Sequence, residues 1–144
     1  MPAILELSGL RIEYPENWSV ELSDEGQEAG QVIISSPETA FWHLSQHPPD
    51  AELEPIFDEV LAALRDEYGD IEVEPASQGN LEDFDLEGYN VNFICLDLTN
   101  TCWLRVCRTP SASLLLICQA EDREFERVSA VFLAMLASVL RNLG

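Results

Sequence analysis

The chain contains no lysine. All seven of its basic side chains are arginines, and they face 27 carboxylates, a formal net charge of −20 over 144 residues. A nucleic-acid backbone is held by clustered Lys and Arg that release its counterions. An anionic membrane leaflet is held by a polybasic patch. Neither pattern occurs, so the expected partners include no nucleic acid and no membrane. Schiff-base and lysine-dependent phosphate chemistry are excluded by the same absence. No Gly-x-Ser-x-Gly, P-loop or dinucleotide fingerprint appears.

Long apolar runs are missing too. None approaches the ~20 residues that span a bilayer, and Leu114 to Cys118 has the length of a strand. The opening Met1-Pro2-Ala3-Ile4-Leu5-Glu6 lacks the basic and apolar regions of a secretory leader. The four cysteines, Cys95, Cys102, Cys107 and Cys118, include no C-x-x-C pair. Without a leader they point to reduced thiols and a cytoplasmic location.

The apolar fraction is ordinary, at 47%, so the acidity sits on a normal core. The length suits one domain over residues 1–144. Leu10 to Tyr14 and Trp18 to Leu22 alternate apolar and polar, the period of a half-buried strand. Pro15-Glu16-Asn17 between them has turn chemistry, which predicts a hairpin. Asp24 to Gly30 reads as an acidic loop. Gln31 to Ser36 and Thr39 to Ser45 are two further expected strands.

After Pro48-Pro49, the residues Leu53, Ile56, Phe57, Val60, Leu61, Leu64 and Tyr68 form an apolar stripe at helical spacing. Asp50 or Glu54 starts this helix and Gly69 ends it. Ile71 to Pro75 predicts a short strand and Gln78 to Asp83 a polar loop. Phe84 to Leu98 reads as one strand whose apolar phase changes. Tyr89, Val91 and Phe93 are followed by Ile94, Leu96 and Leu98, which predicts either a bulge or burial on both faces. Turns at Thr99-Asn100-Thr101 and Thr109 to Ser113 would complete an antiparallel meander. Asp122 to Leu143 is a second helix, with Leu133 and Leu140 off its main apolar stripe. Such a helix is either deeply buried or shared with another subunit.

The segment Gly9 to Val20, with an aromatic residue and Pro at a strand end followed by a turn and Trp18, resembles the opening of PsbP-like and DcrB-like domains. Leu86-Glu87-Gly88-Tyr89-Asn90-Val91 and Phe132 to Ser138 resemble that family's later strand and closing helix. The resemblance implies an α+β fold: an antiparallel sheet of about six or seven strands sandwiched by helices, in the order β-β-β-β-α-β-β-β-β-α. That fold is shared with a Ran-binding nuclear import factor. Family members include photosystem subunits, lipoproteins and small acidic chaperones of secreted effectors, and few are enzymes.

Candidate sites are sparse. His43 and His47 have the spacing that chelates a metal on a helix. On a strand the same spacing separates the rings by ~13 Å, so no metal is expected there. A hairpin centred near Asn100 would bring Cys95 close to Cys107, while Cys102 and Cys107 would face opposite sides. Asp83 to Gly88 echoes half a calcium loop, but Ile94 stands where a bidentate Glu is needed. Glu72 with Glu74 carries almost no catalytic signal in so acidic a chain. No cofactor is implied.

The expectation is therefore a non-enzymatic acidic interaction domain, a cytosolic chaperone or adaptor. Its partner would be another protein or a second copy in a homodimer. The candidate surface is Leu133, Leu140, Trp42 and Trp103. The alternative is a small-ligand-binding protein or enzyme with a pocket between sheet and helix.

Overall fold

The structure, a computed structural model, describes residues 2–7, 9–22, 31–76 and 79–143. The expected acidic loop from Asp24 to Gly30 lies outside them. The elements run β1 (Ala3–Leu7), β2 (Leu10–Tyr14), β3 (Ser19–Leu22), β4 (Val32–Ser35), β5 (Phe41–His47), α1 (Leu53–Tyr68), β6 (Glu72–Pro75), β7 (Gly79–Leu81), β8 (Phe84–Cys95), β9 (Leu98–Arg108), β10 (Ser113–Glu121) and α2 (Asp122–Arg141). The main sheet has the order β3-β4-β5-β10-β9-β8-β6, with β7 also on β8, and every pairing is antiparallel. The fold is thus α+β with an antiparallel sheet between helices, as the sequence implies. β1 and β7 add to the expected strands.

β10 lies at the centre of this sheet. Leu114, Leu116 and Cys118 face one core, while Leu115 and Ile117 face the other. Burial on both faces explains the unbroken apolar run. On the first face, α2 packs Phe132, Met135, Leu136 and Val139 against Val32, Ile34, Trp42 and Leu44. Each such side chain contributes ~1.5–3 kcal/mol before entropy is subtracted. On the second face, Phe57, Leu61 and Leu64 of α1 belong to one cluster with Val91, Phe93, Leu104 and Val106.

The expected hairpin of β2 with β3 does not form. The turn is present, since the Trp18 N–H donates to the Pro15 carbonyl at 3.0 Å. Yet β2 pairs with β1 in a separate two-stranded ribbon, while β3 pairs with β4. The turn carries the chain from the ribbon into the sheet. The ribbon packs on the back of α2, contributing Leu10 and Ile12 to the core. The Glu13 N–H donates to Ser138 Oγ at 2.9 Å, and that hydroxyl donates to the Met135 carbonyl at 2.6 Å. So α2 is apolar on more than one face because it is deeply buried. It lies between sheet and ribbon, and Leu140 is only 3% exposed. Among the described residues, no helix is long and apolar enough to cross a membrane.

The meander also turns earlier than expected. Cys95 pairs with Leu98, so the turn is Leu96-Asp97 and not Thr99 to Thr101. β-branched threonines suit the strand they occupy. The β8–β9 register is unbroken from Leu86↔Cys107 to Cys95↔Leu98, so the change of apolar phase is no bulge in that ladder. Leu86 packs into the α2-side core, whereas Val91 and Phe93 pack into the α1-side core. Gly88 sits between these halves, where the outer partner changes from β7 to β6. A Cβ there would lie 1.8 Å from the Leu104 carbonyl oxygen. Only a residue without a side chain permits that approach.

Candidate interaction site

The β8–β9 hairpin closes through Leu96 and Asp97, with φ of 52° and 65°. Two consecutive left-handed residues make a turn that favours Asn-Gly. A leucine held there costs of order 1–3 kcal/mol. Its side chain recovers none of that by burial within the chain, because Leu96 is 90% exposed. Ile94 and Leu98 flank it at 66% and 39% exposure. Three large apolar residues thus stand on one tip, beside an aspartate.

A cleft opens next to this tip. The ladder of β6 with β8 ends at Glu72↔Asn92. β8 runs on to Cys95, so Phe93–Cys95 has no outer ladder partner among the described residues. The resulting groove holds about 580 Å³. Tyr68, Ile71, Phe93 and Ile94 supply its apolar lining, and Asp70, Glu72 and Asp122 its carboxylates. The Tyr68 and Phe93 rings stack with centroids 4.0 Å apart. Tyr68 Oη accepts from Gln119 Nε2 at 3.0 Å. Burial pushes the Tyr68 pKa up, against the opposing effect of that hydrogen bond. Thr101 Oγ1 donates to Asp122 Oδ1 at 2.7 Å and accepts from Asn92 Nδ2 at 2.9 Å. No ion pair among the described residues engages Asp70, Glu72 or Asp122.

The surface expected from sequence is not assembled. Trp42 is fully buried, with Nε1 donating to the Phe132 carbonyl at 3.2 Å. Leu140 belongs to the same core. Neither can touch a partner while the chain is folded. Leu133 and Trp103 are half-buried. Trp103 meets the Phe125 ring edge-on at 4.8 Å, and the Arg105 guanidinium lies 5.1 Å from its ring centre.

His43 and His47 share a face of β5 without converging. Burial lowers the His43 pKa, with a smaller contribution from His47. Among the described residues, no group of three or more His, Cys, Asp or Glu side chains is placed to hold a metal ion. The Asp83–Gly88 segment is the end of a tight turn followed by strand β8, and not a chelating loop. Cys95 and Cys107 are not neighbours. They pair with Leu98 and Leu86, at opposite ends of a ladder whose ten residues span roughly 30 Å. Cys102 and Cys107 do face opposite cores.

Two further grooves, of about 490 and 480 Å³, lie beside the start of α1 and between the Pro15–Asn17 turn and α2. No buried side-chain polar atom among the described residues lacks a partner, so neither groove holds an orphaned group awaiting a ligand.

The sequence reading missed Ile94, Leu96 and Leu98 as a site. The signal was the phase change itself. On β8, Ile94 has the parity opposite to Val91 and Phe93 and so faces away from the core those residues join.

No protein-family model matches the chain, and no curated protein sequence matches it significantly. Solved structures do. Cyanobacterial PsbP from Synechocystis sp. PCC 6803 superposes with a TM-score of 0.64 at 12% identity, over 95% of this chain and 90% of that one. The Ran-binding protein Mog1p of Saccharomyces cerevisiae gives 0.54 at 10% identity, over 99% and 92%. The fold is PsbP/Mog1-like. A Pseudomonas aeruginosa protein of unknown function, PA94, gives 0.54 at 10% identity, over 94% of each chain. At such identities the likeness establishes the PsbP/Mog1-like fold and nothing about activity.

Proposed function

We propose that this PsbP/Mog1-like chain is a non-enzymatic interaction domain, a chaperone or adaptor that docks another protein through the β8–β9 tip. The observation that carries this reading is Leu96: strained in its backbone, 90% exposed, and flanked by exposed Ile94 and Leu98. Strain with no local return marks a position kept for something outside the chain. Exposed aliphatic side chains gathered at a hairpin tip are the material of an interface centre. The Ran-binding activity named for the yeast neighbour is in keeping with a protein partner.

The test is photo-crosslinking in the native cell. A photoreactive residue replaces Leu96 in one strain and Glu59, exposed on α1, in another. A discrete adduct from position 96 and none from position 59 is the expected result. An adduct of twice the chain's mass identifies the partner as a second copy. Identical adduct patterns from both positions, or no adduct from the tip, sink the reading.

A further inference from the structure

We infer that the cleft beside the tip receives an extended, cationic segment of the partner protein, laid along the open edge of β8 at Phe93–Cys95. This inference rests on the interaction reading above and adds the chemistry of what is bound.

Three features of one place converge on it. The first is main-chain. In an antiparallel ladder every second residue turns its N–H and C=O to the same side. β8 outruns β6 past Glu72↔Asn92, so the outer groups of Phe93–Cys95 have no ladder partner among the described residues. An added extended segment satisfies them, as strand addition does elsewhere. The second is apolar. Phe93 and Tyr68 stack along the groove, and Ile94 is exposed at its rim. A segment lying there meets apolar side chains at alternate positions.

The third is charge. Asp70, Glu72 and Asp122 line the groove outside any ion pair of the described residues, in a chain of net charge −20. A Lys or Arg of the segment gains a carboxylate there, and an acidic segment is repelled. The same charge disfavours a second copy of this chain, which brings −20 to meet −20. The Asp122 carboxylate is held in place by the Thr101 hydroxyl at 2.7 Å.

The probe is a synthetic ten-residue peptide of alternating Arg and Val, titrated into isotope-labelled protein and followed by amide shifts. A Glu/Val peptide and an uncharged Ser/Val peptide serve as comparisons. One variant carries Asp70→Asn, Glu72→Gln and Asp122→Asn. A second removes the same charge from exposed positions before and on α1, by Glu52→Gln, Asp58→Asn and Glu59→Gln.

Shifts confined to residues 70–72 and 92–99 are expected with the Arg/Val peptide. The cleft variant should lose about tenfold in affinity, as three rim pairs would supply, and the α1 variant less than about twofold. The Glu/Val peptide should not bind. Methylating alternate backbone amides of the Arg/Val peptide should abolish binding.

Equal weakening by both variants, or shifts spread over the whole acidic surface, would mean general electrostatic attraction and overturns the inference. Undiminished binding of the methylated peptide overturns strand addition. Should the Ser/Val peptide bind at the tip as tightly as the Arg/Val peptide, the cationic inference fails while the interaction reading stands. If no peptide binds and no tip-specific crosslink forms, both fail.

Discussion

Glu124 in the first turn of α2 accepts a hydrogen bond from the Ser36 hydroxyl at 2.6 Å, although 88 residues separate them. The same carboxylate accepts from the Thr39 N–H at 2.8 Å and the Thr39 hydroxyl at 2.6 Å. It is 2% exposed and fastens the start of α2 to the turn between β4 and β5. Burial alone would raise the Glu124 pKa, but the hydrogen bonds from Ser36 and Thr39 outweigh it and hold the group below its ordinary 4.5.

Glu124→Gln places an amide NH₂ against donors. The variant is expected to lose about 1–3 kcal/mol in urea unfolding. The pH dependence has a definite sign. The folded state binds the Glu124 proton less readily than the unfolded chain does. Its stabilisation is therefore complete above the unfolded value near 4.5 and is lost as pH falls through the lower folded value. The gap between wild type and Glu124→Gln should stay constant above about pH 5.5 and close in acid. A gap that widens in acid contradicts this account.

Leu140 and Leu133 separate the core from the surface on the same helix. Leu140→Ala removes a 3% exposed side chain and should cost about 2–5 kcal/mol. Leu133 is half-buried, and Leu133→Ala should cost about 1 kcal/mol or less. Equal losses in thermal unfolding would mean that α2 is not held between sheet and ribbon as described.

These two leucines also mark how far the sequence could be read. Periodicity placed both helices and most strands, because period 3.6 and period 2 follow directly from which face is buried. It could not say that Leu140 is covered, because the covering ribbon comes from β2, more than a hundred residues away in sequence. Nor could it place the Leu96-Asp97 turn. Thr99-Asn100-Thr101 has the better turn chemistry, and a leucine in the left-handed region runs against local preference. Leu96 was hidden because a leucine with positive φ follows no local rule of turn chemistry.

Cysteine reactivity should divide by burial. Burial pushes the Cys102 thiol to about 12 and the Cys107 thiol to about 11, and raises Cys118 well above 9.0. Cys95 alone of the four is only partly buried. Brief alkylation of the native protein near pH 8 should modify Cys95 first, leaving the other three until urea unfolds the chain. Mass spectrometry of proteolytic fragments reads this directly. Rapid native labelling of Cys102 or Cys118 would require an opening of the core at β9 and β10.

A single substitution at Leu96 measures both the strain of the turn and the proposed recognition. Asparagine tolerates the φ of 52° found at this position, whereas leucine does not. Leu96→Asn should therefore stabilise the fold by about 1 kcal/mol, raising the Tm by several degrees for a domain of this size. It also removes the most exposed apolar side chain from the tip, so binding to the crosslinked partner should fall at least tenfold. A variant that is more stable and binds fully would show that Leu96 is strained without purpose. One that is no more stable and binds fully would remove the strain and the site together. Only gain of stability with loss of binding supports a leucine kept for contact with another protein.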